Sequence, residues 1–200
     1  MRLWRYLKLR GATLFYIAVL LTSFYISTIV LSVKAAYDNV SSLSLPEENV
    51  YVIYDRKSST PFTGLVPLAL TANLSNAEGV LEVSPEVVVP VRIRSQYLVL
   101  RGVTPSFFKI TKLELVEGAE LRDIDEYVAL VGVKAAEALG VSVGDRLIVL
   151  SVFRSIYVEL EVVGVYRADP PLDGEVIAPL PVGQWLRGVD YSYVTQIRIM

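Results

Sequence analysis

The longest uncharged stretch of the chain, Gly11–Val33, limits the possible fold more than any other feature. It contains 23 residues between Arg10 and Lys34, and twelve of them are Leu, Ile, Val or Phe. As an α-helix it would be about 34 Å long at about 1.5 Å per residue, enough to cross a hydrocarbon core of about 30 Å. Its apolar residues surround the helix, whereas the helix of a soluble domain carries one apolar stripe. The sequence therefore predicts a transmembrane helix over Gly11–Val33.

A secretory signal peptide is the main alternative to a permanent span. Val33-Lys34-Ala35-Ala36 resembles a small-residue cleavage site. However, the apolar core of a signal peptide is about 7–15 residues long, so the present run favours a span. Small residues recur four apart within it, a spacing that permits close packing of a second membrane helix and leaves such pairing open. These pairs are Ala18 and Thr22, Ser23 and Ser27, and Thr28 and Ser32.

Charge is distributed unevenly along the 200 residues. The first 33 contain four basic residues and no acidic ones, whereas the remainder contains 15 basic and 21 acidic residues, for a formal net charge of −2. The four basic residues are Arg2, Arg5, Lys8 and Arg10. Positive charge beside a membrane helix stays cytoplasmic, so we expect residues 34–200 to be extracytoplasmic. No basic stripe interleaved with aromatic residues follows residue 40, which argues against nucleic acid as a partner.

These features predict four segments: a basic cytoplasmic N-terminus (1–10), a membrane helix (11–33), a linker (34–46) and an outer domain (47–200). The chain contains no Cys and no His. That composition excludes disulfides, thiolate metal sites and the commonest general base. We therefore predict no catalysis and no cofactor.

The outer domain is predicted to be α+β and rich in strands, because strands outnumber helices and are unevenly spaced. Expected strands are 49–55, 96–103, 127–131, 175–178 and 193–199, with a helix over Thr63–Asn76. Val80–Arg94 contains Pro85 and Pro90, so it is predicted to be broken, bulged or at a sheet edge. Short helices are expected at Val133–Leu139 and Val182–Leu186.

The clearest local pattern lies between residues 127 and 166. Gly140 is predicted to end the helix at Leu139, and Gly144 and Asp145 to form a turn into the next strand. Arg146–Phe153 is apolar on both faces, which predicts a central strand. Ser155–Gly164 alternates, which predicts a half-exposed antiparallel strand with Val158, Leu160 and Val162 inward and Glu159 and Glu161 outward.

Polar groups that could carry chemistry lack a supporting motif. Asp123, Asp125 and Glu126 form the densest acidic cluster but do not match an EF-hand, so we interpret them as a solvated turn. Lys57, Ser58 and Ser59 lie in no nucleophile motif, and Asp169 and Asp173 flank two prolines and a glycine as turn residues do. Asn39 and Asn73 fit the N-glycosylation pattern, which occurs often by chance.

Four segments resemble the start of MacB/FtsX/LolC-type ABC transporter permeases. They are GVTPSFF from Gly102, ALVG from Ala129, AAEALGVSVGD from Ala135 and VVGV from Val162, followed by Ala178-Pro179-Leu180 and Gln184. The resemblance covers essentially the whole chain and implies the MacB-like outer core domain.

The resemblance also implies a function and partners. It predicts a permease subunit that works with a cytoplasmic ABC ATPase, dimerises with itself or a related permease, and transmits helix movement to the outside. Gly140, Gly144 and Asp145 are then the structural turn of the family pattern. Family members have further spans, typically three, so we expect either a piece of a permease or a reduced relative. The alternative is a single-pass surface protein whose outer domain is an independent binding or scaffold module.

Overall fold

The computed structural model describes residues 2–42, 49–58, 62–122 and 126–200. They form two compact units, Met1–Ser41 and Ser42–Met200. The predicted composition of one N-terminal apolar helix and a strand-rich α+β domain is confirmed.

The first unit is a single helix, α1 (Arg2–Ser42), that continues without interruption for 41 residues. Within it, Thr13–Ala35 is long and apolar enough to cross a membrane, and it overlaps the predicted span except for a two-residue shift at each end. The hydroxyls of Thr28 and Ser32 donate to the carbonyls one turn earlier, at 2.9 and 2.8 Å. This back-bonding lowers the cost of placing hydroxyl groups in lipid.

The second unit contains eleven strands and four helices among the described residues. The strands are β1 (Tyr51–Tyr54), β2 (Val66–Pro67), β3 (Val83–Ile93), β4 (Gln96–Val103), β5 (Glu114–Gly118), β6 (Val128–Gly132), β7 (Arg146–Ser151), β8 (Tyr157–Arg167), β9 (Val176–Pro179), β10 (Tyr193–Val194) and β11 (Gln196–Ile199). The helices are α2 (Leu70–Ser75), α3 (Phe107–Ile110), α4 (Val133–Leu139) and α5 (Leu180–Arg187).

The large sheet closes into a ring. Its strands follow the order β1-β11-β3-β4-β9-β6-β8-β5, and β7 pairs with both β3 and β8. Strands β3, β4, β9, β6, β8 and β7 therefore form a closed barrel of mixed parallel and antiparallel pairs. Strands β11 and β1 extend the sheet beyond β3, β5 pairs with β8, and β2 and β10 form a separate two-stranded sheet.

The main hydrophobic core fills this barrel. It contains alternate residues of all six ring strands, including Val91, Leu100, Val131, Leu160 and Val176, together with residues of α4 and α5. A second cluster, which includes Phe107 and Tyr166, packs on other faces of the sheet. The barrel thus has one side-chain layer inside and a second layer outside part of its wall.

Helix α5 packs against β3 and β4. The contact with β4 is close because two glycines face each other: a Cβ added to Gly102 would lie 2.8 Å from the Gly183 Cα. Such a distance leaves no room for a side chain on either residue.

The turn after α4 connects the helix to β7. Gly140 ends α4 in the left-handed conformation with φ of 62°, and Gly144 has φ of 91°. The Gly144 amide donates to the Val162 carbonyl at 2.8 Å, and the Asp145 carboxylate accepts from the Ser142 amide at 2.8 Å. These two bonds fix the path of the chain into β7.

Two predictions from the N-terminal half of the domain were wrong. Thr63–Asn76 is not one helix, because Val66 is buried by the pairing of β2 with β10, and α2 is limited to Leu70–Ser75. Val80–Arg94 is not broken, since β3 is continuous and central. Its prolines lie where β3 pairs with a strand on one side only: Pro85 pairs with β11 and Pro90 with β4. The missing amide therefore breaks no second ladder.

The prediction for Arg146–Phe153 was also partly wrong. β7 pairs on both edges, but its burial alternates and Ile148 is 55% exposed, so only one face lies in the core. By contrast, the predicted alternation of Ser155–Gly164 is confirmed in β8, where Val158, Leu160 and Val162 are buried. Helix α3 and strand β5 had not been predicted.

Candidate functional site

The polar residues singled out in the sequence are not gathered in one place. Ser58 Oγ lies 2.6 Å from Thr63 Oγ1 in the loop after β1. Asp173 lies in a short 3₁₀ turn, where it is buried and its Oδ2 is 3.5 Å from Lys134 Nζ. Over the described ranges, no three acidic side chains come close enough to hold a metal ion.

Some of the predicted residues lie outside the described part of the chain. They are Ser59, Asp123 and Asp125, together with the side chains of Arg2, Arg5, Lys8, Arg10 and Asn39.

The domain instead contains a buried ionic cluster that sequence analysis missed. Its members are Glu86 on β3, Arg101 on β4, Glu175 before β9, and Gln196 and Arg198 on β11. Relative exposure is 0% for Glu86 and Arg101, 2% for Glu175 and 4% for Arg198. Four chain segments that are far apart in sequence therefore meet through charged side chains in the interior.

Both carboxylates in this cluster are fully engaged by guanidinium groups. Arg101 donates through Nη1 to Glu86 at 2.6 Å, and through Nε and Nη2 to Glu175 at 2.8 and 3.0 Å. Arg198 Nε donates to Glu86 at 2.6 Å, and Gln196 Nε2 donates to Glu86 at 2.8 Å. Two acids and two guanidiniums give a net charge of zero. This balance is what allows ionised groups to stay in a low-dielectric interior.

The electrostatics favour the ionised forms of Glu86 and Arg101. Burial alone raises the pKa of Glu86, but the attraction of Arg198 and Arg101 outweighs it and lowers the pKa below the ordinary value. For Arg101 burial lowers the pKa, whereas Glu175 and Glu86 raise it to a higher net value. Phe107 covers the cluster, with the Cζ atoms of Arg101 and Arg198 at 5.9 and 5.5 Å from its ring centroid.

Tyr166 lies at the border of the ionic cluster. Its hydroxyl donates to the carbonyls of Leu172 and Glu175 at 2.7 and 3.1 Å. Burial and the nearby Glu175 raise its pKa well above the ordinary value. Because every carboxylate oxygen of the cluster accepts from a guanidinium, its arrangement is that of a brace between strands.

A signal for this cluster was present in the sequence. Glu86 and Arg101 each stand in a run of apolar strand residues, where a charge must be paired if it is buried. The ion pair between Glu86 and Arg198 could not be predicted from the sequence, because the two residues are separated by 112 positions.

A groove of about 770 Å³ forms a second candidate site near the ends of β4 and β9. Its walls carry five aromatic side chains: Phe108, Tyr127, Tyr157, Trp185 and Tyr191. The last four are 62%, 67%, 49% and 58% exposed, respectively. A concave surface with exposed Tyr and Trp is suited to binding, because these rings combine apolar area with a polar tip.

A helix long and apolar enough to cross a membrane and a closed α+β barrel define the class: a barrel domain that follows an N-terminal apolar helix. The model of the MacB-like periplasmic core domain family matches residues 14–199. This chain therefore belongs to the MacB-like periplasmic core domain family, which confirms the resemblance found in the sequence.

Two solved structures share the fold. The periplasmic region of MacB from Actinobacillus actinomycetemcomitans has a TM-score of 0.50 at 18% identity, over 67% of this chain and 64% of that one. The extracellular domain of the noncanonic ABC-type transporter YknZ from Gram-positive bacteria has a TM-score of 0.53 at 17% identity, over 76% of this chain and 81% of that one. The chain thus spans less than two thirds of the MacB region. No curated protein matches the sequence.

Proposed function

We propose that this chain is the membrane-anchored extracytoplasmic part of an ABC-type permease subunit. In this role it transmits helix movement, driven by a cytoplasmic ABC ATPase, to the outside during export or lipoprotein or lipid handling, with no catalysis of its own. It acts as a dimer with itself or with a related permease.

The continuity of α1 carries the proposal. The helix has 41 residues and is therefore about 62 Å long, roughly twice the thickness of a hydrocarbon core. The family match begins at residue 14, inside the apolar segment, and ends at residue 199. The membrane helix and the barrel are thus matched as one module, and a helix without a break is stiff enough to transmit displacement.

The barrel supports the same role because its strands are tied together. A closed ring has no free edge along which strands separate, and the buried ionic cluster links β3, β4 and β11 to the segment before β9. A domain built in this way moves as a rigid body, which is what transmission requires.

The orientation of the chain in the membrane is tested first. Because the sequence contains no native cysteine, an introduced cysteine is labelled without background from other thiols of the chain. We expect a membrane-impermeant maleimide to label Glu78→Cys in intact cells. Lys8→Cys should react only after the membrane is permeabilised. The reverse labelling pattern would refute the proposed topology.

Transmission is tested by distances between spin labels on Glu78→Cys in two copies of the chain, assembled with its ABC ATPase. We expect the distance distribution to change when ATP binds. Ala35→Pro should abolish that change while ATP hydrolysis continues, because proline interrupts the helix. Ala35→Ser is the matched control and should keep the change. An unchanged distribution in the parent protein would refute transmission.

The aromatic groove favours a second candidate, an independent binding module on a single-pass anchor. The downstream coding sequence separates the two. Three further apolar stretches of about 20 residues with an ABC ATPase gene nearby support the permease, whereas a stop codon without such a neighbour supports the binding module.

A further inference from the structure

The hairpin between β7 and β8 forms a pocket of about 500 Å³ that is separate from the groove except for the shared Tyr157. Arg92 and Arg154 both line it, and among the described residues no acidic side chain does. Arg92 pairs in register with Leu150 of β7, and Leu150 with Tyr157 of β8. The three side chains therefore lie on the same face of adjacent strands, the face that points away from the barrel core.

Contacts with the end of α5 hold the hairpin turn in place. Ser151 Oγ donates to the Leu186 carbonyl at 2.7 Å and accepts from the amides of Phe153 and Arg154 at 3.1 and 3.2 Å. The Arg187 Cζ lies 4.2 Å from the Phe153 ring centroid. The pocket is consequently formed before any ligand arrives.

Arg154 is held by the same contacts. A Cβ added to Gly188 would lie 2.2 Å from the Arg154 Cδ, so the aliphatic stem of this arginine packs directly on the glycine backbone. Its Nη1 and Nε also lie near this position, at 2.9 and 3.2 Å from the added Cβ, so Arg154 rests against Gly188 where it lines the pocket.

The positive charge of the pocket is not neutralised by neighbouring acids. Glu159 is the closest acidic residue along β8, and Arg146 Nη1 occupies it at 2.9 Å. Within the described ranges, Arg92 and Arg154 form no ion pair, and the pocket carries two positive charges.

We propose that this pocket binds a phosphoryl group. A phosphate monoester carries about −1.5 to −2 charges and three acceptor oxygens, which matches two guanidiniums together with the hydroxyls of Ser155 and Tyr157. A carboxylate carries only one negative charge and would leave a net charge of +1 in the pocket. The remaining walls, from Val152, Phe153 and Ile156, are apolar and suit a phosphoryl group attached to an apolar body. This site is independent of the proposed transmission role.

The test uses the full chain in phosphatidylcholine nanodiscs and isothermal titration calorimetry. The probes are inorganic phosphate and water-soluble dihexanoyl phosphatidic acid, with dihexanoyl phosphatidylcholine as the neutral comparison. We expect saturable binding of a phosphate probe and none of phosphatidylcholine. Phosphatidic acid binding more than about tenfold tighter than phosphate identifies a lipid headgroup as the source, and equal binding identifies a soluble phosphate.

Three substitutions locate the binding. Arg92→Gln and Arg154→Gln should each weaken it about tenfold, because each removes a charged hydrogen-bond donor. Arg56→Gln removes the same charge from an exposed position that does not line the pocket and should leave affinity unchanged. If Arg154→Gln lowers the thermal stability, the test of binding rests on Arg92→Gln. The Arg92 side chain makes no hydrogen bond in the described part of the chain, so its replacement should not disturb the fold. Absence of saturable binding, or equal weakening by Arg56→Gln, would overturn the proposal.

Discussion

Neutralising Glu86 should destabilise the barrel more than any other single Glu-to-Gln change in the domain. Its carboxylate accepts from Arg101 at 2.6 Å, from Arg198 at 2.6 Å and from Gln196 at 2.8 Å, and it is wholly buried. Glu86→Gln keeps the shape but leaves two guanidiniums facing one carboxylate, a net charge of +1 in the interior. Breaking a buried ion pair in this way costs about 3–5 kcal/mol, a large part of a typical domain stability of about 5–15 kcal/mol.

The free energy of unfolding can be measured by urea titration of the full chain in non-ionic detergent micelles. The chain has two tryptophans, so replacing Trp4 by Phe leaves Trp185 as the reporter of the outer domain. Glu82→Gln is the matched control, because Glu82 pairs at 3.1 Å with Lys109, whose side chain is 67% exposed. Such a pair contributes about 0–1 kcal/mol.

A double substitution separates charge balance from packing. Adding Arg198→Met to Glu86→Gln restores neutrality, with Arg101 facing Glu175. We expect the double variant to be more stable than the sum of the two single losses predicts, by about 1–3 kcal/mol. If Glu86→Gln lowers the free energy of unfolding no more than Glu82→Gln does, the ionic cluster does not stabilise the barrel.

Three further predictions concern pH, packing and topology. The folded-state pKa of Glu86 lies below its unfolded value of about 4.3. The ionised carboxylate therefore stabilises the folded state above that pH, and this stabilisation is lost as the pH falls through the folded-state pKa. The stability difference between the parent protein and Glu86→Gln in urea titrations should accordingly shrink in acid. Gly102→Ala should destabilise the domain by about 1–3 kcal/mol, since its Cβ would lie 2.8 Å from the Gly183 Cα; Gly174→Ala, where nothing lies within 4 Å, should be nearly neutral. Reversing the charge of all four basic residues before Gly11 should reduce the outward-facing fraction in protease protection, and identical protection of both proteins would contradict the charge-based orientation.

Local signals in the sequence predicted much of the architecture. The alternation of β8 and the glycine after α4 are properties of a few neighbouring residues, and both agree with the structure. The sequence-based predictions were wrong where pairing with another strand determines the local structure. Pro85 and Pro90 indicate interruption by themselves, yet β3 tolerates both because each lies where only one neighbouring strand pairs.

The candidate sites also divide into those set by neighbouring residues and those set by strand pairing. The basic N-terminus and the apolar span are contiguous in sequence and could be found there. The ionic cluster depends on the side-by-side pairing of β11, β3, β4 and β9. The hairpin pocket depends on barrel closure, which brings β7 beside both β3 and β8. Arg92 and Tyr157 become neighbours only through Leu150. No spacing along the chain encodes that proximity.

Control of the strand register explains why charge is buried in this domain at all. A hydrophobic contact between β3, β4, β11 and the segment before β9 would stabilise the barrel about as well, since apolar replacements of buried ion pairs are often neutral or better. An ionic cluster adds geometric selectivity: Arg101 reaches Glu86 and Glu175 together only when β3, β4 and β9 are in the observed register. A shift by one residue would turn these charges into the apolar interior. The brace therefore fixes the strand register, and a fixed register is what a domain needs if it is to move as one body.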